Sequence, residues 1–516
     1  MRITDVKKIA MIRRFIYTLL LLLPAVAGAQ HFYNFTGIND KGLLGTARFV
    51  GMGGSMSALG ADISVMGVNP AGIALYRSND CAFTASFENN ESRSSYNNTE
   101  MNSIYSGCRL DNFGVVIANR LGASDIEFIN IGIAYRANNT LNRNFDMYGA
   151  AKGFSQQYVI DELYRKNPFD TDNVTYSMYE KLGYNWLTLL ASDGRLVADD
   201  GNLITGADGE LLYPPTHHGY YSEERGGVDV ADVNASLNIM DRVYLGVTFS
   251  YSLVDYDRYS YYNEDDAIGE IYSIVNNYSV TGTGVDFKLG AIVRPFKYLP
   301  LKVGVAFHTP TYYRLHDTSY ASIAGVDGLV YDTRDEQRYY DTFDIKYKYR
   351  TPWRVNASVA YTLGSYLALN AEYEFTDYRN ASYAGRTTLC KMQNYDIDAC
   401  LRGQHIARVG AELNLNRLAL RAGYSYSTAM FNASAYKLVD NMSVTDTATE
   451  YLNLYDKSNV TFGLGYRFDS LYIDLAYMLQ MQQGDFYPFY DTEYVNPAAK
   501  AHFTDQTVAL TMGMRF

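Results

Sequence analysis

Segments in which apolar and polar residues alternate follow one another along most of this chain, and the connections between them are short and long in turn. Fourteen segments are candidate strands: 81–89, 104–119, 127–138, 228–239, 242–256, 280–294, 299–315, 343–363, 366–382, 402–415, 418–431, 457–468, 471–484 and 503–516. The connections on one side are only a few residues long: Met240–Asp241, Pro295–Pro300, Gly364–Ser365, Asn416–Arg417 and Asp469–Ser470. Tight turns at one end and long loops at the other are typical of outer-membrane barrels. The pattern predicts an all-β fold, a 14-stranded antiparallel transmembrane β-barrel over residues 81–516, with a long external loop insertion at 139–227.

The alternation within each segment predicts which face of each strand meets lipid and which faces the lumen. In the last segment Val508, Leu510 and Met512 fall on one face, while Thr507 and Thr511 fall on the other. Successive side chains of a strand point to opposite faces, so each strand has one apolar face for lipid and one polar face for a lumen. A soluble β-sandwich would also alternate, but its connections would not differ in length between the two ends.

The N-terminus has the pattern of a secretory signal peptide. Basic residues precede the apolar run 15–26, which leads to a small-residue cleavage site, so we expect residues 1–29 to be removed before Gln30. Met11 would serve equally well as the start, and Met1 and Met11 both stay open. After this run no apolar stretch approaches the roughly 18 residues that a spanning helix needs, so strands must make any membrane crossing.

The net charge of the chain limits the classes of partner that we expect it to bind. The formal charge is −12, and removal of the signal peptide takes away five basic residues and one acidic residue, which leaves −16. Nucleic-acid-binding proteins present basic patches, so we expect no nucleic acid partner. The expected surroundings are membrane lipids in the cell outer membrane, which the chain crosses many times.

Residues 30–80 are predicted to form a hatch inside the barrel. Fourteen strands enclose a lumen too wide for side chains alone to fill. The segment precedes the first strand, lacks sustained alternation and is rich in glycine, which lets backbones pack closely. Within it, Asn69 is placed to cap a short helix whose first residue is Pro70. The residues of this element are candidates for a ligand contact or for a purely structural helix start: Asn69, Pro70, Ala71, Gly72, Ile73, Leu75 and Tyr76.

The hatch segment resembles a known family. The run Gly51-Met52-Gly53-Gly54-Ser55, followed by Asn69-Pro70-Ala71-Gly72, looks like the N-terminal hatch of the FadL/TodX family of outer-membrane transporters. Further matches are 408–412, 420–424 and 474–477. The resemblance implies a 14-stranded barrel with an N-terminal hatch, and passage of long-chain fatty acids or aromatic hydrocarbons. The insertion 139–227 departs from the family's loops.

Other residues allow more than one interpretation. Four charged residues are predicted to face the lumen, either along a permeation path or in ion pairs that fix the wall to the hatch: Arg408, Glu412, Arg421 and Asp474. Cys390 and Cys400 lie in one predicted external loop, where they either form a disulfide bond or remain free thiols. No catalytic or metal-binding motif is present, and we expect no enzyme activity, no metal and no cofactor.

These observations predict passive outer-membrane transport of hydrophobic small molecules through a plugged barrel. The alternative is a surface adhesion or partner-binding protein that uses the barrel as an anchor. The expected partners are a hydrophobic small-molecule ligand, membrane lipids and the outer-membrane barrel assembly machinery, which would recognise the last strand ending in Phe516. We expect a monomer.

Overall fold

The computed structural model describes residues 32–121, 125–175, 178, 184–198, 201–205, 209–334, 344–385, 388–439, 445–490 and 497–516, so the expected signal peptide lies outside the described residues. Within these ranges the strands are β1 (Asp80–Tyr96), β2 (Thr99–Arg120), β3 (Ile126–Thr140), β4 (Arg143–Ala150), β5 (His217–Ile239), β6 (Val243–Asp265), β7 (Glu270–Val293), β8 (Leu301–His308), β9 (Tyr312–Ala324), β10 (Val330–Asp332), β11 (Asp344–Arg350), β12 (Arg354–Leu363), β13 (Leu367–Asp377), β14 (Ser382–Tyr383), β15 (Gly403–Leu415), β16 (Leu418–Ser427), β17 (Tyr451–Arg467), β18 (Leu471–Tyr487) and β19 (Ala499–Arg515). The α-helices are α1 (Tyr33–Asn39), α2 (Ala47–Gly51), α3 (Gln156–Lys166), α4 (Trp186–Asp193) and α5 (Thr388–Cys400). Short 3-10 helices span Ile63–Gly67, Pro70–Leu75, Thr171–Asn173 and Tyr378–Asn380.

The strands form one antiparallel sheet that closes on itself. The first strand, β1, pairs with the last, β19, from Asp80 opposite Arg515 to Ser95 opposite Lys500. Four pairs of consecutive strands each lie along one crossing of the wall: β3 with β4, β8 with β9, β11 with β12, and β13 with β14. The three-residue strand β10 pairs only with the end of β9 and adds no crossing. Counted in this way, the wall has 14 strands, and the predicted fold class is confirmed. No helix in the described part of the chain is long and apolar enough to cross a membrane.

The outer face of the wall is an apolar belt. Large apolar side chains at every second position are exposed, such as Phe83 and Phe87 on β1 and Leu510 and Met512 on β19. The residues between them are buried in the lumen, as Thr84 and Thr511 are, and these two hydroxyls lie 2.7 Å apart. The period-two pattern of the sequence therefore becomes a lipid-facing outside and a polar inside.

Two neighbouring wall strands break where the sequence pattern predicted continuity. Segments 299–315 and 343–363 were each expected to be one strand, but each is interrupted at a Thr-Pro step, before Pro310 and before Pro352. Proline has no N–H to donate to the ladder. Threonine side chains replace the lost ladder bonds, since Thr309 Oγ1 accepts from Phe287 N at 3.0 Å and Thr351 Oγ1 accepts from Thr311 N at 2.8 Å.

Residues 32–79 form the hatch, which lies against the inward-facing side of the wall. Thr46 caps α2 by accepting a hydrogen bond from Phe49 N, and the 3-10 helix Pro70–Leu75 begins at Asn69, whose side chain accepts from Ala71 N. The predicted cap and the predicted position of Pro70 are both present. The hatch is bonded to the wall as well, because Thr511 Oγ1 accepts from Ala47 N at 2.7 Å.

Glycines let the hatch backbone touch the wall backbone. A Cβ added at Gly423 of β16 would lie 2.2 Å from Gly53 N, and one added at Gly410 of β15 would lie 2.4 Å from the Met52 carbonyl oxygen. Gly53 also has a φ of +64°, which an L side chain rarely adopts. On the other side of the lumen Gly246 lies against Pro70, and a Cβ added at Gly246 would lie 2.4 Å from the Pro70 carbonyl oxygen. The glycine-rich composition of the hatch is thus matched by lumen-facing glycines of the wall.

The predicted insertion 139–227 is partly wall and partly a separate layer. Its two ends belong to the sheet, since β3 runs to Thr140 and β5 begins at His217, and β4 pairs with the far end of β5. The described residues between 151 and 216, here called the cap, include α3 and α4. Their apolar side chains pack across the ends of strands all round the barrel, in one core with Tyr96, Tyr262, Ile323 and Phe503. The cap therefore closes the long-loop end.

The glycine contacts give a first prediction. Replacing Gly423 by Ala puts a methyl group 2.2 Å from Gly53 N, so the hatch must shift. Overpacking of this kind costs roughly 1–3 kcal/mol. We expect a lower unfolding temperature and a higher single-channel conductance in planar bilayers. Gly269→Ala is the matched control, because nothing lies within 4 Å of its Cβ. Equal conductance for Gly423→Ala and the wild type would show that the hatch does not rest on this contact.

Candidate functional site

A cavity of about 200 Å³ lies inside the barrel beside the hatch. Its floor is formed by hatch residues, among them Gly42, Leu43 and Leu44. Its wall combines aromatic rings with charged side chains from β1, β2, β4, β5, β17, β18 and β19. An enclosed space with apolar walls and a few polar groups is the usual form of a small-molecule site.

Four aromatic side chains, here called the aromatic cluster, line one side of this cavity: Phe145, Tyr220, Phe486 and Phe503. The ring of Phe486 lies 4.6 Å from that of Tyr220 and 4.9 Å from that of Phe145, measured between centroids. Phe145 and Phe503 are 6.0 Å apart. These are the separations of interacting aromatic pairs. The cluster joins β4, β5, β18 and β19, and it is part of the same core as the cap, so the cap holds one wall of the cavity in place.

The opposite side is built around α1 of the hatch. The ring of Tyr33 stacks on Phe431 at 5.2 Å, and the Tyr33 hydroxyl donates to Asn453 Oδ1 at 2.7 Å. Tyr451, at 5.5 Å from Tyr33, and Met430 also face the cavity. The two aromatic sides come from different parts of the chain, and the hatch supplies one of them.

Every cation that lines the cavity has a carboxylate partner. Arg109 lies 2.7 Å from Glu88, Arg143 lies 2.5 Å from Glu224, Arg258 lies 3.9 Å from Glu450, and Lys457 lies 2.6 Å from Asp40. A fifth carboxylate, Asp505, also borders the space. The lining therefore offers no surplus of positive charge to bind an anion, although it offers many hydrogen-bonding groups.

A buried carboxylate of the wall holds the start of the cap helix α3. Glu264, near the end of β6, accepts hydrogen bonds from the Ser155 hydroxyl at 2.6 Å and from Gln156 N at 2.6 Å, at the start of α3. Its oxygens also accept from the Gln157 side chain and the Tyr262 hydroxyl, both at 2.8 Å. A carboxylate is favourable at a helix N-terminus, where backbone N–H groups are unpaired.

The residues predicted as a ligand element lie elsewhere. The 3-10 helix Pro70–Leu75 packs against β5, β6 and β7, in a small cluster in which Ala71 and Ala74 contact Tyr244 and Ile292. Asn69, Pro70, Ala71, Gly72, Ile73, Leu75 and Tyr76 do not line the 200 Å³ cavity. In the structure these residues pack the hatch against the wall. Contact between them and a ligand stays a prediction.

The four predicted lumen charges are buried and paired. Arg421 Nε and Nη1 lie 2.7 Å from Glu412 and 2.6 Å from Asp474, and Glu412 also holds Arg48 of the hatch at 2.8 Å. Arg408 Nη1 lies 2.7 Å from Glu372. Charges taken out of water need such partners. The pairing of Arg48 with Glu412 fixes the hatch to β15.

The possible disulfide between Cys390 and Cys400 is not present, and both cysteines are free. The two residues lie ten positions apart on one helix, α5. At 1.5 Å rise per residue their Cα atoms are about 15 Å apart, and a disulfide needs Cα atoms within roughly 7 Å. Residues 383–401, between two predicted strands, were interpreted as a loop, so the helix was not predicted. Instead, the Cys400 thiol lies 3.7 Å from the Tyr436 carbonyl oxygen.

The aromatic cluster was not singled out from the sequence. Phe145 stands in an alternating run, Phe145, Met147, Gly149, whose members all face inward on β4. That alternation indicates a strand, but the strand was not predicted because residues 139–227 were interpreted as a loop. Phe486 lies just beyond the predicted strand 471–484, because β18 extends to Tyr487. No local signal could show that these rings meet.

The hatch-to-wall charges give a second prediction. Glu412→Gln leaves the buried Arg48 and Arg421 with one carboxylate fewer, and removal of one partner from a buried ion pair typically costs roughly 3–5 kcal/mol. We expect a clear fall in the urea midpoint, monitored by the heat-modifiable gel shift. The control is Asp469→Asn. Asp469 Oδ1 lies 3.0 Å from Arg417 Nη2, and both side chains are exposed. An exposed ion pair contributes about 1 kcal/mol at most to stability. Equal effects of the two substitutions would contradict the assigned role of Glu412.

No protein-family model matches this chain, and no curated protein matches it significantly. Solved structures do match. A FadL homologue from Pseudomonas aeruginosa aligns over 92% of this chain and 99% of its own, with 12% identity and a TM-score of 0.54. The toluene transporter TodX from P. putida aligns over 93% and 99%, with 12% identity and a TM-score of 0.52. A deltaS2 mutant of TodX, described as a monoaromatic hydrocarbon channel, aligns over 91% and 98%, with 13% identity and a TM-score of 0.53.

These alignments cover nearly the whole of each chain, so the similarity extends beyond the wall to the overall architecture. The resemblance that the hatch motif indicated is confirmed at the level of the fold. This chain has the fold of the FadL homologue and of TodX.

Proposed function

We propose that this protein is an outer-membrane channel for the passive transport of hydrophobic small molecules, such as long-chain fatty acids or aromatic hydrocarbons. The observation that carries the proposal is the cavity inside the barrel beside the hatch, which aromatic side chains of the wall and of the hatch line. Polar channels do not help apolar solutes across a membrane. A site along the barrel axis with aromatic walls does, because apolar side chains replace part of the water around the solute.

The orientation follows from the two ends of the barrel. The short turns, such as Met240–Asp241 between β5 and β6, would face the periplasm together with both ends of the wall, and the cap would face outward. Met240 and Asp241 have φ values of +52° and +53°, the conformation of a tight two-residue hairpin turn. In this orientation the ligand meets the cap first, then the cavity, then the hatch. We further propose that the barrel assembly machinery recognises the last strand, β19, and that the protein is a monomer.

Two routes are possible below the cavity. Movement of the hatch would open the lumen, and opening of the wall would release ligand sideways. The breaks before Pro310 and Pro352 lie side by side in the wall, since Tyr312 pairs with Arg350 above them and His308 pairs with Arg354 below them. A second, polar cavity borders the inner side of these breaks, with Asp286 and Lys288 in its lining. Its polarity makes it a poor site for an apolar ligand, which favours the hatch.

The experiment that tests the proposal is binding of a neutral aromatic probe, N-phenylnaphthylamine, to the purified protein. Phe503→Ala removes a ring from the cavity wall, and a buried side chain of this size contributes roughly 1.5–3 kcal/mol. We expect affinity to fall by about tenfold or more. Phe87→Ala, which removes a ring from the lipid-facing side of β1, is the matched control and should bind like the wild type.

The heat-modifiable gel shift should be the same for both variants, which would show that the barrel is intact. Failure of the wild type to bind any hydrophobic probe would remove the support for transport. The protein would then be better explained as an adhesion or partner-binding protein, with the barrel as its anchor and the cap as its binding surface.

The paired charges of the cavity give a further expectation about the ligand. Because Arg109, Arg143 and Lys457 already face carboxylates, an anionic head group would have to break an existing ion pair. We expect the neutral aromatic probe to bind more tightly than a fluorescent fatty acid of similar apolar area, with little dependence on salt. Tighter binding of the fatty acid, weakening with added salt, would contradict this assignment.

A further inference from the structure

A group of four cations lies on the outward face of the wall, just beyond the apolar belt: Arg314, Lys346, Lys348 and Arg350. Arg314 stands on β9 and the other three at alternate positions of the neighbouring strand β11, and all four side chains are exposed. This group, here called the basic patch, is an island of positive charge on a chain whose formal charge is −12.

The register of the two strands places like charges opposite one another. Lys348 pairs with Arg314. Side chains directly opposite in an antiparallel pair have Cβ atoms about 5 Å apart, and like charges there are destabilising. Within the described residues, none of the four cations of the basic patch has an ion pair with a carboxylate. Other exposed arginines do, such as Arg93 at 2.8 Å from Glu91. The basic patch is therefore a local conflict, and such conflicts are expected at sites that bind something.

The level of the patch relative to the belt indicates the partner. Tyr312 of β9 is 57% exposed and pairs with Arg350 of β11 on one side and with Val285 of β7 on the other. It is the last exposed apolar residue on this face before the basic patch begins. Arg314 and Lys348 follow two residues further along, about 7 Å along the strand. The head-group layer of a bilayer extends roughly 5–8 Å beyond the hydrocarbon core. The patch thus lies at the depth of lipid phosphates.

We propose that the basic patch binds the phosphate groups of an anionic lipid in the external leaflet. Guanidinium groups suit phosphate because their N–H donors can bond two oxygens at once, and lysine adds a compact charge. Arg314 and Arg350 supply the forks, and Lys348 stands between them in the register. A lipid phosphate there relieves the repulsion between Lys348 and Arg314. The inference relies on the orientation given above, but it does not depend on what the channel transports.

The test uses the full protein in an uncharged detergent, titrated with a diphosphorylated glucosamine lipid or with zwitterionic phosphatidylcholine. Bound lipid is counted by native mass spectrometry, and stability is followed by the heat-modifiable gel shift. We expect the phosphorylated lipid to bind and to raise the unfolding temperature, while phosphatidylcholine does neither. The double variant Arg314→Gln/Lys348→Gln should bind the phosphorylated lipid roughly tenfold more weakly or worse. Without lipid it should be at least as stable as the wild type, because the like-charge pair is gone.

The matched control is Arg93→Gln/Arg417→Gln, which removes two exposed arginines that already have carboxylate partners at 2.8 and 3.0 Å. It should bind the lipid like the wild type. If the first variant fails to fold, Lys346→Gln/Arg350→Gln tests the same patch. Undiminished lipid binding by a folded patch variant would overturn the proposal. Equal stabilisation of the wild type by inorganic phosphate would also overturn it, because the lipid would then contribute nothing.

Discussion

Closure of the sheet between β1 and β19 is the constraint on which the rest of the structure depends. In a hydrocarbon layer no water is present to pair with backbone N–H and C=O groups, so a strand-built wall must leave no edge. A closed wall of 14 strands then encloses a lumen too wide for its own side chains to fill. The inward-facing residues are polar and charged, and they need partners. The hatch answers both requirements, since it occupies space and supplies Arg48 to Glu412 and Ala47 N to Thr511.

The hatch is held by two kinds of contact with different consequences. Contacts between glycines, such as Gly53 with Gly423, bring backbone against backbone, with no room for a side chain. Ion pairs such as Arg48 with Glu412 add charge complementarity to that fit. Removal of either partner leaves a buried charge without compensation. Any movement of the hatch would therefore break several contacts together.

At the cavity the polar interior gives way to aromatic surface. Phe145, Phe486 and Phe503 come from three strands, and Tyr33 comes from the hatch. The cap packs on the aromatic cluster, and Glu264 of β6 bonds the start of α3. Hatch and wall therefore line the cavity, and the cap supports one side of it. The cations that line the cavity are paired with carboxylates of the protein itself.

The sequence by itself determined the strands, the closed barrel and the hatch, because these depend on local signals. Alternation with period two, short turns and a glycine-rich leading segment can each be recognised within a dozen residues. Only the tertiary structure decided the rest. The breaks at Pro310 and Pro352 matter because they lie side by side, and the helix that separates Cys390 from Cys400 lay in a segment interpreted as a loop. The rings around the cavity lie hundreds of residues apart, from Phe145 to Phe503. Their convergence follows from the closure of the sheet and from its register, which no local pattern encodes.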